Sequence, residues 1–233
     1  ITVGTPVDKN TKKPMLQYIK QATKQIAHQI TEKSIVIMRS TVAIGTSRNV
    51  VYPILKKVQS NIKLAFCPER TVEGRALEEL KILPQVIGGI DLDSLYAAEN
   101  IFRDLTPTII KVSSIELAEM AKLTDNCYRD VKFAFANEIG LACKKLNLNA
   151  GELIYAVNHG YPRTEIPIPG FVGGACLSKD PYIFVSSLKG INKGSLLTYR
   201  ARRINENLPL EILNEALNKL SEIRRFSSAV TVK

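Results

Sequence analysis

An α/β fold is what this sequence predicts: a mainly parallel sheet with helices on both faces, then a long helix, then an all-helical region. Three observations carry the prediction. Short apolar runs alternate with stretches of helical periodicity over residues 1–113, the pattern of βα units. Residues 114–146 contain no Pro and a single late Gly, Gly140, so one helix can run through them. Beyond residue 150 the apolar spacing stays helical.

The elements follow in order. The apolar run 1–3 leads into Gly4-Thr5-Pro6 and reads as a strand ending in a loop. Residues 15–30 place Leu16, Ile19, Ala22, Ile26 and Ile30 at helical spacing. The run SIVIM, 34–38, is apolar throughout, as a strand buried on both faces requires. Residues 46–58 read as a helix and 63–66 as a short strand. A further strand, 85–87, is ended by Gly88-Gly89. Asp93 can cap a helix over 93–102, and 108–112 is a strand. The long helix starts near 114, with Ser113 or Ser114 as its cap. At about 1.5 Å per residue, about 30 residues span about 45 Å, longer than one small domain, so the helix links two. Shorter helices follow at 150–157, 181–188, 196–207 and 210–220, and 229–232 is a short β-prone run. A strand in progress at residue 1 and a β-prone run at the other end lead us to expect a chain cut from a longer one.

Composition excludes several classes. The 233 residues are 45 % hydrophobic and 23 % charged, ordinary for a globular chain and unlike a disordered one. Charges interrupt every apolar stretch well before a membrane-spanning length. The opening ITVGTPVDKN has no basic segment followed by an apolar one, so no signal peptide is expected. Four cysteines at irregular spacing form no CxxC pair, which points to a reducing, cytoplasmic compartment and away from a zinc ribbon. With 32 basic against 22 acidic residues the net charge is +10. Residues 1–113 hold 16 basic and 10 acidic residues, and 114–233 hold 16 and 12, so the excess is spread along the chain. Without an RNP motif, zinc finger or aromatic-studded basic strand, a solvated basic surface is preferred over nucleic-acid binding. A site for phosphorylated small molecules is a third reading.

Chemistry gathers at four places. In the stretch 169–181, PGFVGGACLSKDP, glycines allow close backbone approach to a ligand. Exposed N–H groups entering a helix at Pro181 offer an anion site. Cys176 lies near Lys179 and a helix N-terminus, the setting in which cysteines become nucleophiles. Asp180 can serve as base or charge partner. The bland alternative is a tight turn with a buried structural cysteine. Lys122 and Asn126, four apart, share one face of the long helix, where an ammonium and an amide can both donate to an oxyanion. Without context, a surface lysine explains Lys122 equally. Glu69 and Glu73, in Pro68-Glu69-Arg70-Thr71-Val72-Glu73-Gly74, follow a strand's carboxyl end, where open α/β sheets bind ligands. An acidic loop is the alternative. Ser40 and Thr41 end the SIVIM strand as Thr5 and Pro6 end the first, and their hydroxyls suit cofactor contact. His159 has no partner at metal-ligand spacing, so no metal site is assigned.

Taken in chain order, Thr5-Pro6, Ser40-Thr41-Val42, Pro68-Glu69, Glu119-x-Ala121-Lys122 with Asn126, and Gly173-Gly174-x-Cys176-x-x-Lys179-Asp180 resemble the UDP-glucose/GDP-mannose dehydrogenase family over essentially the whole chain. The resemblance implies the C-terminal half of a Rossmann-like NAD-binding domain over 1–113. It implies the long helix and a central helical dimerisation domain over 114–222, and the start of a nucleotide-sugar domain over 223–233. The Gly-rich dinucleotide fingerprint, absent here, is expected upstream. The implied reaction is a four-electron oxidation of a sugar C6 alcohol to a carboxylate with two NAD, carried out by a homodimer without membrane or nucleic-acid partners.

The resemblance also implies roles. Lys122 and Asn126 stabilise the oxyanions, Cys176 captures the aldehyde and passes through a thioester, and Asp180 and Glu69 handle protons. Thr41, Glu73 and Lys179 contact NAD, with Thr5, Pro6 and Ser40 beside them, and Thr41 also counts among the catalytic set. Glu69, Lys122, Asn126 and Arg163 touch the sugar, and 166–174, with Gly170, Gly173 and Gly174, lies along the diphosphate. Pro169-Gly170-Phe171 departs from the Gly-Pro-Gly common in the family. The stretch Asn158-His159-Gly160-Tyr161-Pro162-Arg163 looks closer to members acting on N-acetylated hexosamines. A β-hydroxyacid dehydrogenase, with one hydride transfer and no cysteine nucleophile, is the alternative enzyme, and a basic nucleic-acid-binding module the alternative non-enzyme.

Overall fold

Helices and strands alternate through the first half of the chain in the computed structural model, which describes residues 1–188 and 190–230 and, at 195 and 225–230, the backbone alone. The chain forms two compact units: residues 1–127 with 179–191, and residues 128–178 with the segment from 192 onward.

The first unit is built on a four-stranded sheet in the order β1-β2-β3-β4. Helix α1 (Gln17–Ala27) buries Ile19, Thr23 and Ala27 on one face. Strand β1 (Ile35–Met38) pairs in parallel with β2 (Lys63–Phe66), Ile35 opposite Lys63 and Met38 opposite Phe66. Between them lies α2 (Tyr52–Lys56), preceded by a widened π turn, Ser47–Val51, in place of the single helix expected over 46–58. Pro53 explains the change: it has no N–H to donate to an i−4 carbonyl, and the wider turn accommodates it. The one-turn α3 (Ala76–Glu79) leads to β3 (Gln85–Gly89), which runs antiparallel to β2; β4 (Ile109–Lys111) is parallel to β3. Two of the three pairings are therefore parallel, as the βα alternation predicts.

Three local expectations are corrected here. Residues 1–3 are not a strand, although Ile1 accepts a backbone hydrogen bond from Arg39 at 2.9 Å. Gly88 and Gly89 do not end β3 but belong to it. Helix α4 (Leu92–Phe102) is capped by Asp91, which accepts from the Ser94 N–H at 2.8 Å, so Asp93 is a first-turn residue. Both sheet faces are covered. Met38, Leu55, Leu64, Phe66 and Ile115 pack on one side, and Ala65, Ile87, Ala98 and Phe102 on the other.

Helix α5 (Ile115–Lys145) starts where the sequence placed it, with Ser114 Oγ accepting from the Leu117 N–H, and the two units divide within it. In the second unit, α6 (Ala150–Asn158) is capped by Asn149, and the short α7 (Gly174–Leu177) carries the glycine-rich stretch. Helix α8 (Asp180–Ser187) belongs to the first unit. Helix α9 (Leu197–Val230) is continuous through Pro209, where two helices were expected. Buried Ala201, Arg202, Asn205 and Leu208 hold the turns before the proline. Ala229 and Val230, expected to open a strand, end this helix, and 231–233 lie outside the described residues. Among the described residues no helix is long and apolar enough to cross a membrane.

Candidate active site

Asp180 is the most tightly held of the predicted residues. It opens α8, is fully buried, and accepts two hydrogen bonds, from Lys179 Nζ to Oδ1 and from Asn126 Nδ2 to Oδ2, each 2.6 Å. The helix N-terminus offered by the sequence to an external anion thus carries the chain's own carboxylate. Asn126 is buried on α5 and its amide orientation is fixed by Asp180, which leaves one N–H unused. Lys122, one turn earlier, is half-buried, and its ammonium has no hydrogen-bond partner among the described residues. A fixed amide and a free ammonium on one helix face form a donor pair for a developing negative charge.

The carboxyl ends of β1 and β2 lie side by side through their parallel pairing, and the Cys67 N–H donates to Met38 O at 2.9 Å. Here Arg39 pairs with Glu69, donates to Gln85 Oε1 at 3.2 Å, and stacks 5.2 Å above the Phe102 ring. Partial burial works to raise the Glu69 carboxyl, but hydrogen bonds from Arg39 and Thr71 outweigh it and bring it down to about 2. Glu69 is therefore held ionised and is a weak proton acceptor while Arg39 is in place. Glu73, four residues on, is exposed. At the same sheet edge Ser40 is buried, its Oγ 3.3 Å from Ile1 O, and Thr41 is half-buried. Thr5, ahead of half-buried Pro6, is buried, and its hydroxyl has no partner. An orphan hydroxyl on Thr5, with the hydroxyls of Ser40 and Thr41, can donate to or accept from ribose hydroxyls, so these residues fit a dinucleotide.

In the second unit the glycine-rich stretch is open. Cys176 is exposed on α7, whereas Cys67, Cys127 and Cys143 are buried, and burial pushes the Cys67 thiol up to about 12. Gly174 has φ +84, and a Cβ at Gly173 or Gly174 would meet nothing within 4 Å. The Gly170 N–H donates to Asn137 Oδ1 at 2.8 Å. Arg163 is exposed, lies 4.3 Å over the Tyr161 ring and donates to its hydroxyl at 2.8 Å.

Sequence reasoning assigned no role to two groups of supporting residues. Glu119, one turn before Lys122, is buried and accepts from the backbone N–H groups of Gly45 at 2.5 Å and Ser47 at 2.8 Å. It ties the lysine-bearing helix to the turn that follows Thr41. Burial pushes its carboxyl up, against the pull of those bonds. Asp130, Asn137, Arg202 and Asn205 form a buried network behind the glycine stretch. The available signal was polar residues seven apart on α5 and three apart on α9, each in an otherwise apolar face.

Two family models match the chain: the UDP-glucose/GDP-mannose dehydrogenase family NAD binding domain over residues 1–106, and that family's central domain over residues 116–207. The UDP-N-acetyl-D-mannosamine dehydrogenase of Campylobacter jejuni is 32 % identical over 96 % of this chain and 57 % of its own length. The NDP-N-acetyl-D-galactosaminuronic acid dehydrogenase of Ralstonia nicotianae is 32 % identical over 99 % of this chain and 55 % of its own. Among solved structures, the UDP-D-ManNAc dehydrogenase of Pyrococcus horikoshii superimposes with a TM-score of 0.85 at 34 % identity, covering 95 % of this chain and 53 % of that one. The chain therefore spans about half the length of the relatives it matches.

Proposed function

Given that this chain belongs to the UDP-glucose/GDP-mannose dehydrogenase family, we propose that its protein oxidises the C6 alcohol of a nucleotide sugar to a carboxylate with two NAD per product. The observation that supports this reading most is the Asn126–Asp180–Lys179 cluster, which fixes an amide donor one turn from Lys122, whose ammonium has no hydrogen-bond partner among the described residues. NAD, when bound, accepts hydride from the sugar carbon. Thr5, Pro6, Ser40, Thr41, Glu73 and Lys179 hold it in this reading.

The chain's own residues do the rest. Lys122 and the Asn126 N–H left over by Asp180 stabilise the alkoxide as the alcohol passes its proton to solvent water, and later the tetrahedral oxyanion. The Cys176 sulfur adds to the aldehyde carbon, forming a C–S bond in a thiohemiacetal, and oxidation of that adduct leaves a thioester. Water adds to the thioester carbonyl, the C–S bond breaks, and the uronate leaves with the thiol restored. Asp180 manages the protons of that water. Glu69 takes a proton only once Arg39 releases it. Arg163 reaches the sugar, and Gly170, Gly173 and Gly174 leave room for the diphosphate beside 166–174. Residues 1–113 serve the cofactor, and 114–222 supply the central helical part of a homodimer. Four free cysteines suit a reducing cytoplasm.

The substrate is an N-acetylated UDP-hexosamine in this reading, supported by the Asn158–Arg163 stretch and by the names of the similar enzymes. Assay of the full-length polypeptide with NAD and a panel of UDP-glucose, UDP-N-acetylglucosamine, UDP-N-acetylmannosamine and GDP-mannose tests it. The expected outcome is the highest kcat/KM on an N-acetylated UDP-sugar. Turnover of a simple β-hydroxyacid with none of these nucleotide sugars overturns the reading.

A further inference from the structure

Between Gly170 and Leu177 the chain is open to solvent, and Gly173 and Gly174 have no packing neighbours where a side chain would be. Such a stretch cannot hold its shape by burial, Leu177 excepted. It is instead pinned at three backbone points. Asn137 Oδ1 accepts from the Gly170 N–H at 2.8 Å. The Arg202 guanidinium, 1 % exposed, donates through Nη2 to Val172 O at 2.9 Å and through Nη1 to Leu177 O at 2.8 Å. Arg202 is itself fixed by Asp130 Oδ1 at 2.8 Å. Asn205 donates to both Asp130 Oδ1 and Asp130 O at 2.9 Å, and its Oδ1 accepts from Asn137 at 2.9 Å, closing the network.

The network is costly by its own accounts. Asp130 Oδ2 and Arg202 Nε are buried with no hydrogen-bond partner. A buried ion pair with orphan atoms is weak evidence for stability, and its value lies in fixing geometry. A planar guanidinium can span two carbonyls at once, whereas an ammonium on a flexible stem holds one at a time.

We propose that Arg202, locked by Asp130, Asn205 and Asn137, is the positioning residue of the Cys176 segment: its fork grips the carbonyls on either side of Gly173–Cys176 and sets where the sulfur points. At 1 % exposure its guanidinium acts through the segment it holds. The inference rests on the proposed function in one respect: Cys176 serves only the second, aldehyde-oxidising half of the reaction, so loss of the clamp slows that half alone.

Arg202→Lys and Asn137→Ser in the full-length polypeptide test it. Asn137→Ser removes only the Gly170 pin and one bond to Asn205, and carries the test if Arg202→Lys loses its cooperative thermal transition. Amide hydrogen exchange of the 170–178 peptide rises about tenfold or more in the variants. Aldehyde oxidation falls about tenfold or more while alcohol oxidation stays within about twofold. At saturating nucleotide sugar, NADH per sugar drops from two toward one, and hydroxylamine traps free aldehyde. Unchanged exchange, or equal loss of both half-reactions, overturns the clamp. A wild-type protein that makes one NADH per product instead overturns the proposed function, and does so before any variant is made.

Discussion

Arg39 decides the state of Glu69 more than solvent does. The carboxyl is depressed from an ordinary 4.5 to about 2 because the folded chain supplies the guanidinium and the Thr71 N–H, which the unfolded chain does not. A depressed carboxylate contributes stability that is present above its unfolded value and lost as pH falls through the folded one. Glu69→Gln therefore lowers the thermal midpoint at pH 7, and its difference from wild type narrows below pH 4.5 and closes toward pH 2; melting curves across that range check it. A constant gap from pH 7 to pH 3 contradicts the Arg39–Glu69 assignment. At this scale placement was legible: Lys122 and Asn126 one turn apart on a long helix from their spacing, and Cys176 in an open segment from its glycines. The partners were not, because Arg39 and Glu69 are 30 residues apart and Asp130 and Arg202 are 72 apart. Nothing local in a sequence encodes which buried charges meet.

Elements were legible where periodicity was strong and blurred where one residue overrode it. The long helix α5 kept its cap and its extent because no proline or early glycine interrupts it. Pro53 turned an expected helix into a π turn and a shorter helix, whereas Pro209 failed to break α9, where Arg202, Asn205 and Leu208 are buried in the preceding turns. Gly88 and Gly89 read as punctuation but are needed inside β3 for contact. A Cβ on Gly88 would lie 2.5 Å from Ser114 O and 2.8 Å from Ala118 Cβ, so the strand could not approach the start of α5. Gly88→Ala is expected to destabilise the fold by about 1–3 kcal/mol, the usual cost of overpacking. Urea unfolding measures it, and a variant as stable as wild type contradicts the close packing. The backbone there needs no positive φ, so the requirement is steric rather than conformational.

At the scale of the molecule, the alternation of strands and helices gave the α/β class, and the structure added one antiparallel pairing that no composition or spacing announces. The division into compact units falls inside α5, so Lys122 and Asn126 belong to the first unit with Lys179 and Asp180, and Tyr128–Ser178 belong to the second. In the proposed reading the +10 charge suits two diphosphate-bearing ligands. In the proposed reaction, one cysteine turns a two-electron oxidation into a four-electron one. This is tested most directly by counting NADH per mole of uronate formed by the full-length polypeptide, for wild type and Cys176→Ala. The prediction is two NADH per uronate in wild type and no uronate from the variant. One NADH per product, or near-normal uronate formation without Cys176, would contradict it.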